Sequence, residues 1–340
     1  MHIKSFISGV GGQSLTEEER EFLTRERPYG VILFARNVEN PAQLGALTAD
    51  IKNCLGHPYA SILIDQEGGR VARLKPPHWR KYPAAATLAM DADAERAVYV
   101  SARLMAQELR DAGITTDCAP LADILAPQCH DIIGNRAFGN NAEIVSRLAR
   151  AQANGLLDGG VLPVLKHIPG HGRATQDSHE HLPVVTATQA ELEASDFIPF
   201  KALADLPLAM TAHIKYTAID EKNCATESPA TINYIRHEIG FDGLLMSDDL
   251  SMKALGGTFG QRTERALAAG CDLVLHGNGA LIGEPVRDLM AEMREVAAAS
   301  SYLNDDGLRR AARAHAMFPK APPADDASLL AEWQRFLAAA

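Results

Sequence analysis

The sequence is short of cysteine, of basic charge and of long apolar runs, and each shortage narrows what the chain can be. Its five cysteines (Cys54, Cys118, Cys129, Cys224, Cys271) are odd in number, scattered and never spaced Cys-x-x-Cys. They outline neither a disulfide framework nor a zinc knot, and buried thiols in a reducing cytoplasm are the expected reading. Lys and Arg number 33 against 43 Asp and Glu, a formal charge of −10. Phosphate contacts need a basic face that this balance does not supply, so no nucleic-acid partner is expected. No stretch approaches the roughly 18 uninterrupted apolar residues of a membrane span, and residues 1–9 are too few and too polar for a signal peptide. A cytoplasmic protein with no membrane partner is expected.

What is present is ample core material. With 46% hydrophobic and 22% charged residues over 340 positions, the chain can bury either two modest domains or one large barrel. Short apolar runs rich in β-branched residues recur at 3–8, 31–35, 61–64, 114–118, 161–165, 206–211, 243–247 and 272–275. They are nearly continuous rather than alternating, as strands of a parallel sheet covered on both faces are. Helical patterns lie between them. Thr16-Glu17-Glu18-Glu19 reads as a capping box opening a helix to Glu26, and 93–111 is the clearest amphipathic segment. Others are expected at 41–55, 141–157, 189–204, 229–239, 263–269, 284–299 and 304–316. Eight strands alternating with helices describe a (β/α)₈ TIM-type barrel in a single domain, over 1–317. A proline-rich strap and a last helix at 328–339 complete the chain as an appendage, 318–340, packed on the barrel.

In such a barrel the chemistry sits at the C-terminal ends of the strands. Those ends are polar here: Arg36, Asp65, Lys166-His167, His213, Asp248-Asp249 and His276. Six polar ends on one rim point to a shared site. The segment after the fifth strand carries His167, His171, His179 and His181 within fifteen residues, on a loop with Gly170 and Gly172. One reading is a metal site, with those imidazoles joined by Asp177 and Asp248. Against it, no His-x-His ends the first strand and the chain has no His-Glu-x-x-His. The other reading is acid–base chemistry, with Asp177 orienting His179 and stabilising its protonated form. Asp248 is delivered by an apolar strand, and alternation of side chains sends Asp249 elsewhere. A rim carboxylate beside a proton shuttle is what covalent glycosyl transfer needs.

Four motifs in order carry a family resemblance: Ile64-Asp65-Gln66-Glu67-Gly68-Gly69-Arg70-Val71-Ala72-Arg73, Gly134-Asn135-Arg136-Ala137-Phe138-Gly139, the loop from Lys166 to His179, and Met246-Ser247-Asp248-Asp249-Leu250-Ser251-Met252. Lys-His-x-Pro-Gly-His-Gly followed by Asp-Ser-His is the most specific. The chain resembles the β-N-acetylhexosaminidases of glycoside hydrolase family 3, in particular compact bacterial enzymes that recycle peptidoglycan fragments. The resemblance implies Asp248 as nucleophile, His179 as general acid/base and Asp177 as its orienting partner. It also implies that Asp65, Arg73, Arg136, Lys166 and His167 bind the sugar. The implied reaction is hydrolysis of a terminal β-linked N-acetylglucosamine with retention, on N-acetylglucosaminyl-anhydromuramyl peptides, by a monomer with no metal or organic cofactor. Arg70 is read as a structural ion pair. Ile168 departs from the aromatic expected at that position and should alter only packing. The basic residues Arg70, Arg73, Lys75, Arg80 and Lys81 could favour an anionic aglycone. A metal-dependent hydrolase and a phosphorylase are the alternatives.

Overall fold

The computed structural model describes residues 2–126, 131–174, 181–279, 288–319 and 327–339. Continuous apolar runs demand cover on both faces, and the chain supplies it by closing eight parallel strands into a barrel. The strands are β1 (Lys4–Ser8), β2 (Pro28–Leu33), β3 (Ser61–Ile64), β4 (Thr116–Asp117), β5 (Leu162–Ile168), β6 (Leu208–Thr211), β7 (Leu244–Asp249) and β8 (Leu273–His276). They pair in chain order, and β8 closes on β1 through Phe6 opposite Val274. Every residue of β2 and β5 is buried. Ile7, Ile32, Leu63, Val164, Met210 and Met246 belong to one cluster that fills the interior, while Val31, Leu33, Ile62 and Ile64 pack outward with helix residues such as Leu47 and Val100. The (β/α)₈ barrel expected from the runs is the observed fold.

Local chemistry fixes most helices where the sequence puts them. Thr16 and Glu19 form the capping box that starts α1 (Glu17–Glu26). The Asn40 side chain caps α2 (Pro41–Leu55), which begins on proline and ends at Gly56. The amphipathic pattern becomes α3 (Ala94–Asp111), and Asn141 caps α4 (Ala142–Asp158). Two segments differ from expectation. The 189–204 pattern breaks into Gln189–Glu193 and Ile198–Ala202, because Pro199 has no N–H for a continuous helix and the buried Asp196 turns away to meet Arg173 at 2.7 Å. The helix expected from 263 starts earlier, at Phe259, on a Thr258/Gln261 capping box. The helix expected over 284–299 is described as Leu289–Ala299.

Two features shape the surroundings of the site. Val184–Val185 pairs with Lys215–Tyr216, tying chain that follows β5 to chain that follows β6. The helix Ala327–Ala339 lies on α3: Trp333 is buried against Tyr82, ring centroids 5.6 Å apart, and Arg96 grips Glu332 through two hydrogen bonds of 2.7 and 2.9 Å. No helix among the described residues is long and apolar enough to cross a membrane.

Candidate active site

The turn after β3 gathers the first group of polar side chains. Gln66 clamps it, accepting from the backbone N–H groups of Arg73 (2.7 Å) and Leu74 (3.0 Å) and donating to the Leu74 carbonyl (2.9 Å). Gly68 has φ of 96°, and a Cβ there would lie 2.5 Å from the Pro83 carbonyl oxygen, so only glycine fits. The folded turn brings Asp65, Glu67 and Arg73 together at the barrel mouth. Lys166, near the end of β5, reaches across to both carboxylates, 3.1 Å to Asp65 and 2.6 Å to Glu67. Arg73 donates to Asp65 at 3.1 Å, and Arg136 binds Glu67 through two parallel contacts of 2.8 Å. The third nitrogen of the Arg136 guanidinium donates to the Ile132 carbonyl at 3.0 Å.

This is a buried, alternating-charge network. Burial by itself would raise the carboxyl groups, but Lys166 and Arg73 outweigh it at Asp65, and Arg136 and Lys166 outweigh it at Glu67, so both stay ionised. In return Glu67 and Asp65 overcome the burial penalty on Lys166 and hold its ammonium above the ordinary lysine range. The neighbouring Asp117 behaves oppositely. Buried in the barrel, it accepts among the described residues only the Gln66 N–H at 2.9 Å, and burial drives its carboxyl well above the usual value.

A second group hangs on Asp123, beyond β4. One of its oxygens meets His167 Nδ1 at 2.7 Å; the other accepts the backbone N–H groups of His167 (3.2 Å) and His171 (2.6 Å). Burial raises this carboxyl and the two histidines bring it below its usual value. The His171 ring stands edge-on to His167, centroids 5.4 Å apart, and burial together with His167 brings its pKa down to about 4. The Tyr216 hydroxyl donates to the Gly170 carbonyl, and a Cβ on Gly172 would fall 1.5 Å from the Ile124 carbonyl oxygen. The start of the histidine loop is thus held on three sides.

Asp248 is the penultimate residue of β7, with one carboxylate oxygen accepting the Asp249 N–H at 2.8 Å. Asp65, Asp117, Lys166 and Asp248 stand at or just beyond the C-terminal ends of parallel strands of one closed barrel, which places all four at one mouth. Asp249 turns away as alternation requires, accepting the Ser251 N–H at 2.8 Å and lying 3.8 Å from His276. Between them His213 is fully buried: Nε2 donates to the Asp249 carbonyl at 3.1 Å, so Nδ1 accepts from the Thr226 hydroxyl at 2.7 Å and the ring is neutral. Asp65, Arg73, Arg136, Lys166, His167 and Asp248 all lie at this rim. His179 and Asp177 fall outside the described residues. No group of three or more His, Cys, Asp or Glu among the described residues is arranged to hold a metal ion.

Other expectations are refined. Arg70 is mainly a clamp on backbone carbonyls, donating to those of Asp131, Ile132 and Ile133, with its ion pair to Asp131 only at 3.9 Å. Ile168 packs in the cluster that holds Phe197 and Phe200, as a packing residue should. Of the five basic residues from 70 to 81, Arg80 is tied to Glu108 at 2.6 Å, and Lys75 and Lys81 stay exposed. Sequence reasoning passed over Glu67, although it stands inside the quoted motif, and Asp123. The signal for Asp123 was available: it follows the fourth strand in an otherwise apolar stretch, Cys118-Ala119-Pro120-Leu121-Ala122-Asp123.

Known proteins identify the family. Residues 5–304 match the N-terminal domain of glycosyl hydrolase family 3. A β-hexosaminidase of Chromobacterium violaceum is 39% identical over 312 residues, 87% of each chain. The crystal structure of native NagZ from Neisseria gonorrhoeae has 31% identity and a TM-score of 0.83, covering all of this chain and 98% of that one. The same protein in complex with N-trifluoroacetyl-D-glucosamine has 30% identity and a TM-score of 0.75, covering 93% of this chain and 98% of that one. Sequence and fold therefore agree that the chain belongs to the β-hexosaminidases of glycosyl hydrolase family 3 and is a glycoside hydrolase.

Proposed function

We propose that the chain removes terminal β-linked N-acetylglucosamine from small glycans with retention of configuration, and that Asp248 is its nucleophile. The observation that carries this reading is the charged network of Asp65, Lys166, Glu67 and Arg136 around the mouth at which β7 delivers Asp248. A carboxylate accepts sugar hydroxyls while ammonium and guanidinium groups donate to sugar oxygens, so Asp65, Arg73, Arg136, Lys166 and His167 suit a sugar held over Asp248. One Asp248 oxygen bonds to the anomeric carbon as the bond to the aglycone oxygen breaks, and His179, oriented by Asp177, gives that oxygen its proton. His179 then takes a proton from water, whose oxygen displaces Asp248 and restores the carboxylate. The binding of N-trifluoroacetyl-D-glucosamine by the gonococcal relative supports the sugar assignment. Muropeptides carrying terminal N-acetylglucosamine are the proposed substrates, with turnover by a monomer in the cytoplasm, and the free thiols of Cys54, Cys118, Cys224 and Cys271 suit that compartment.

Hydrolysis of aryl β-N-acetylglucosaminides of graded leaving-group acidity tests the roles. Asp248→Ala should abolish turnover of every substrate, whereas His179→Ala should slow alkyl and muramyl leaving groups far more than activated phenols. Equal losses across the series would remove His179 from the acid role, and incorporation of phosphate into the product would replace hydrolysis by phosphorolysis.

A further inference from the structure

The barrel has a cavity at the end opposite the active site. It measures about 450 Å³ and lies under the N-terminal ends of β2 to β5, lined by Tyr29, Ser61, Thr115 and Leu162 from the strands and their approaches. That volume falls within the range of small-molecule sites. Two walls differ in character. On one, Lys52 and Arg110 come from the last turns of the neighbouring helices α2 and α3. On the other, His315 stands edge-on to both Tyr59 and Phe318, with centroids 5.7 and 5.5 Å apart.

Two polar groups of this cavity, His57 and Lys52, are not satisfied by the described residues in the way those of the mouth are. His57 Nε2 lies 2.9 Å from the Pro28 carbonyl, which can only accept, so Nε2 carries the hydrogen. Its Nδ1 is buried and has no hydrogen-bond partner among the described residues. Partial burial lowers the Lys52 ammonium, and no carboxylate among the described residues offsets it. Arg110 lines the same wall, with contacts that include the Gly159 carbonyl at 3.3 Å and Asp111 at 3.5 Å. No aspartate or glutamate lines the cavity among the described residues, in a chain whose net charge is −10.

We propose that this cavity binds a phosphate carried on an aromatic ring, with Lys52, Arg110 and His57 taking the phosphate and Tyr59, His315 and Phe318 taking the ring. A phosphate offers three acceptor oxygens to donors arriving from separate directions, and the His57 Nδ1 becomes such a donor by taking a proton from solvent as the anion enters. The planar ring supplies the apolar face that the aromatic wall would otherwise leave against water. The site is separate from the sugar site by the full depth of the barrel interior.

Calorimetric titration of the full chain with phenyl phosphate tests this, with phenol and inorganic phosphate as comparison probes. One molecule should bind per chain with Kd of about 1 mM or tighter, unaffected by saturating N-acetylglucosamine, and each comparison probe should bind at least about tenfold more weakly. The exposed positions allow mild variants: Lys52→Gln and His315→Ala should each weaken phenyl phosphate about tenfold while leaving hydrolysis of an aryl β-N-acetylglucosaminide unchanged. Absence of saturable binding, displacement by N-acetylglucosamine, equal binding of phenol or of phosphate alone, or variants that bind like the parent would each overturn the proposal.

Discussion

Glu67 is the residue on which the mouth depends, since it holds two cations that have almost no access to water. The Lys166 side chain is 2% exposed and that of Arg136 is 12% exposed. Removing one partner of such a network leaves uncompensated buried charge, so Glu67→Gln should destabilise the fold by about 3–5 kcal/mol, measured by urea unfolding. Activity should fall with it, because Lys166 and Arg136 lose the geometry in which they face the sugar. The histidines make a second residue-level prediction. His171 has a folded-state pKa of about 4 against an ordinary 6.5, so it stays neutral in the native chain and charges on unfolding. A base depressed in this way contributes stability that is present above its unfolded value and lost as pH falls towards its folded value. Asp123, lowered below its usual range, acts in the same direction at still lower pH. The melting temperature should decline from about pH 6.5 downward, and a ring-proton titration should find His171 neutral at pH values where the exposed histidines are charged. A His171 midpoint near 6.5 would contradict the burial argument.

Among the elements, the strands were the most legible, because covered parallel strands must be apolar throughout and so stand out as runs. The run at 61–64 is β3 to the residue, and β5 runs three residues beyond its apolar stretch because Lys166 and Ile168 continue the ladder with β6 around an irregularity at His167. Helices were legible where a capping box announces them, as at Thr16, or where the amphipathic pattern is strong, as at 93–111. The 189–204 segment was not, since its pattern ignores that Asp196 is needed elsewhere, as the partner of Arg173. The loop after β5 was recognised by its histidines, yet its constraint is a glycine. Gly172→Ala would drive a Cβ to 1.5 Å from the Ile124 carbonyl oxygen, a backbone atom that cannot yield as a side chain could. The loop must move off the β4 segment, so the variant should lose more than about 2 kcal/mol of stability and most of its activity. Retention of parental melting temperature and turnover would show that the approach is not required.

For the whole molecule, the helix Ala327–Ala339 buttresses the barrel beside the active-site turn. Trp333, 3% exposed, packs on Tyr82, whose carbonyl accepts the Gly69 N–H at 2.9 Å. Trp333→Ala should therefore cost about 3–5 kcal/mol in thermal or denaturant unfolding, as a large buried aromatic does. An unchanged midpoint would mean that the helix merely rests on α3. The sequence by itself determined the barrel and the identity of its polar rim, because strand burial and strand ends are written in consecutive residues. It also placed Asp65, Lys166, His167 and Asp248 at the rim, while Arg73 and Arg136 came from the family motifs. Only the tertiary structure decided who holds whom: Lys166 meets Asp65 across 101 positions, Arg136 meets Glu67 across 69, and His167 meets Asp123 across 44. The physical reason is that charge pairing acts through space. Barrel closure sets those distances, and no local pattern in the chain records them.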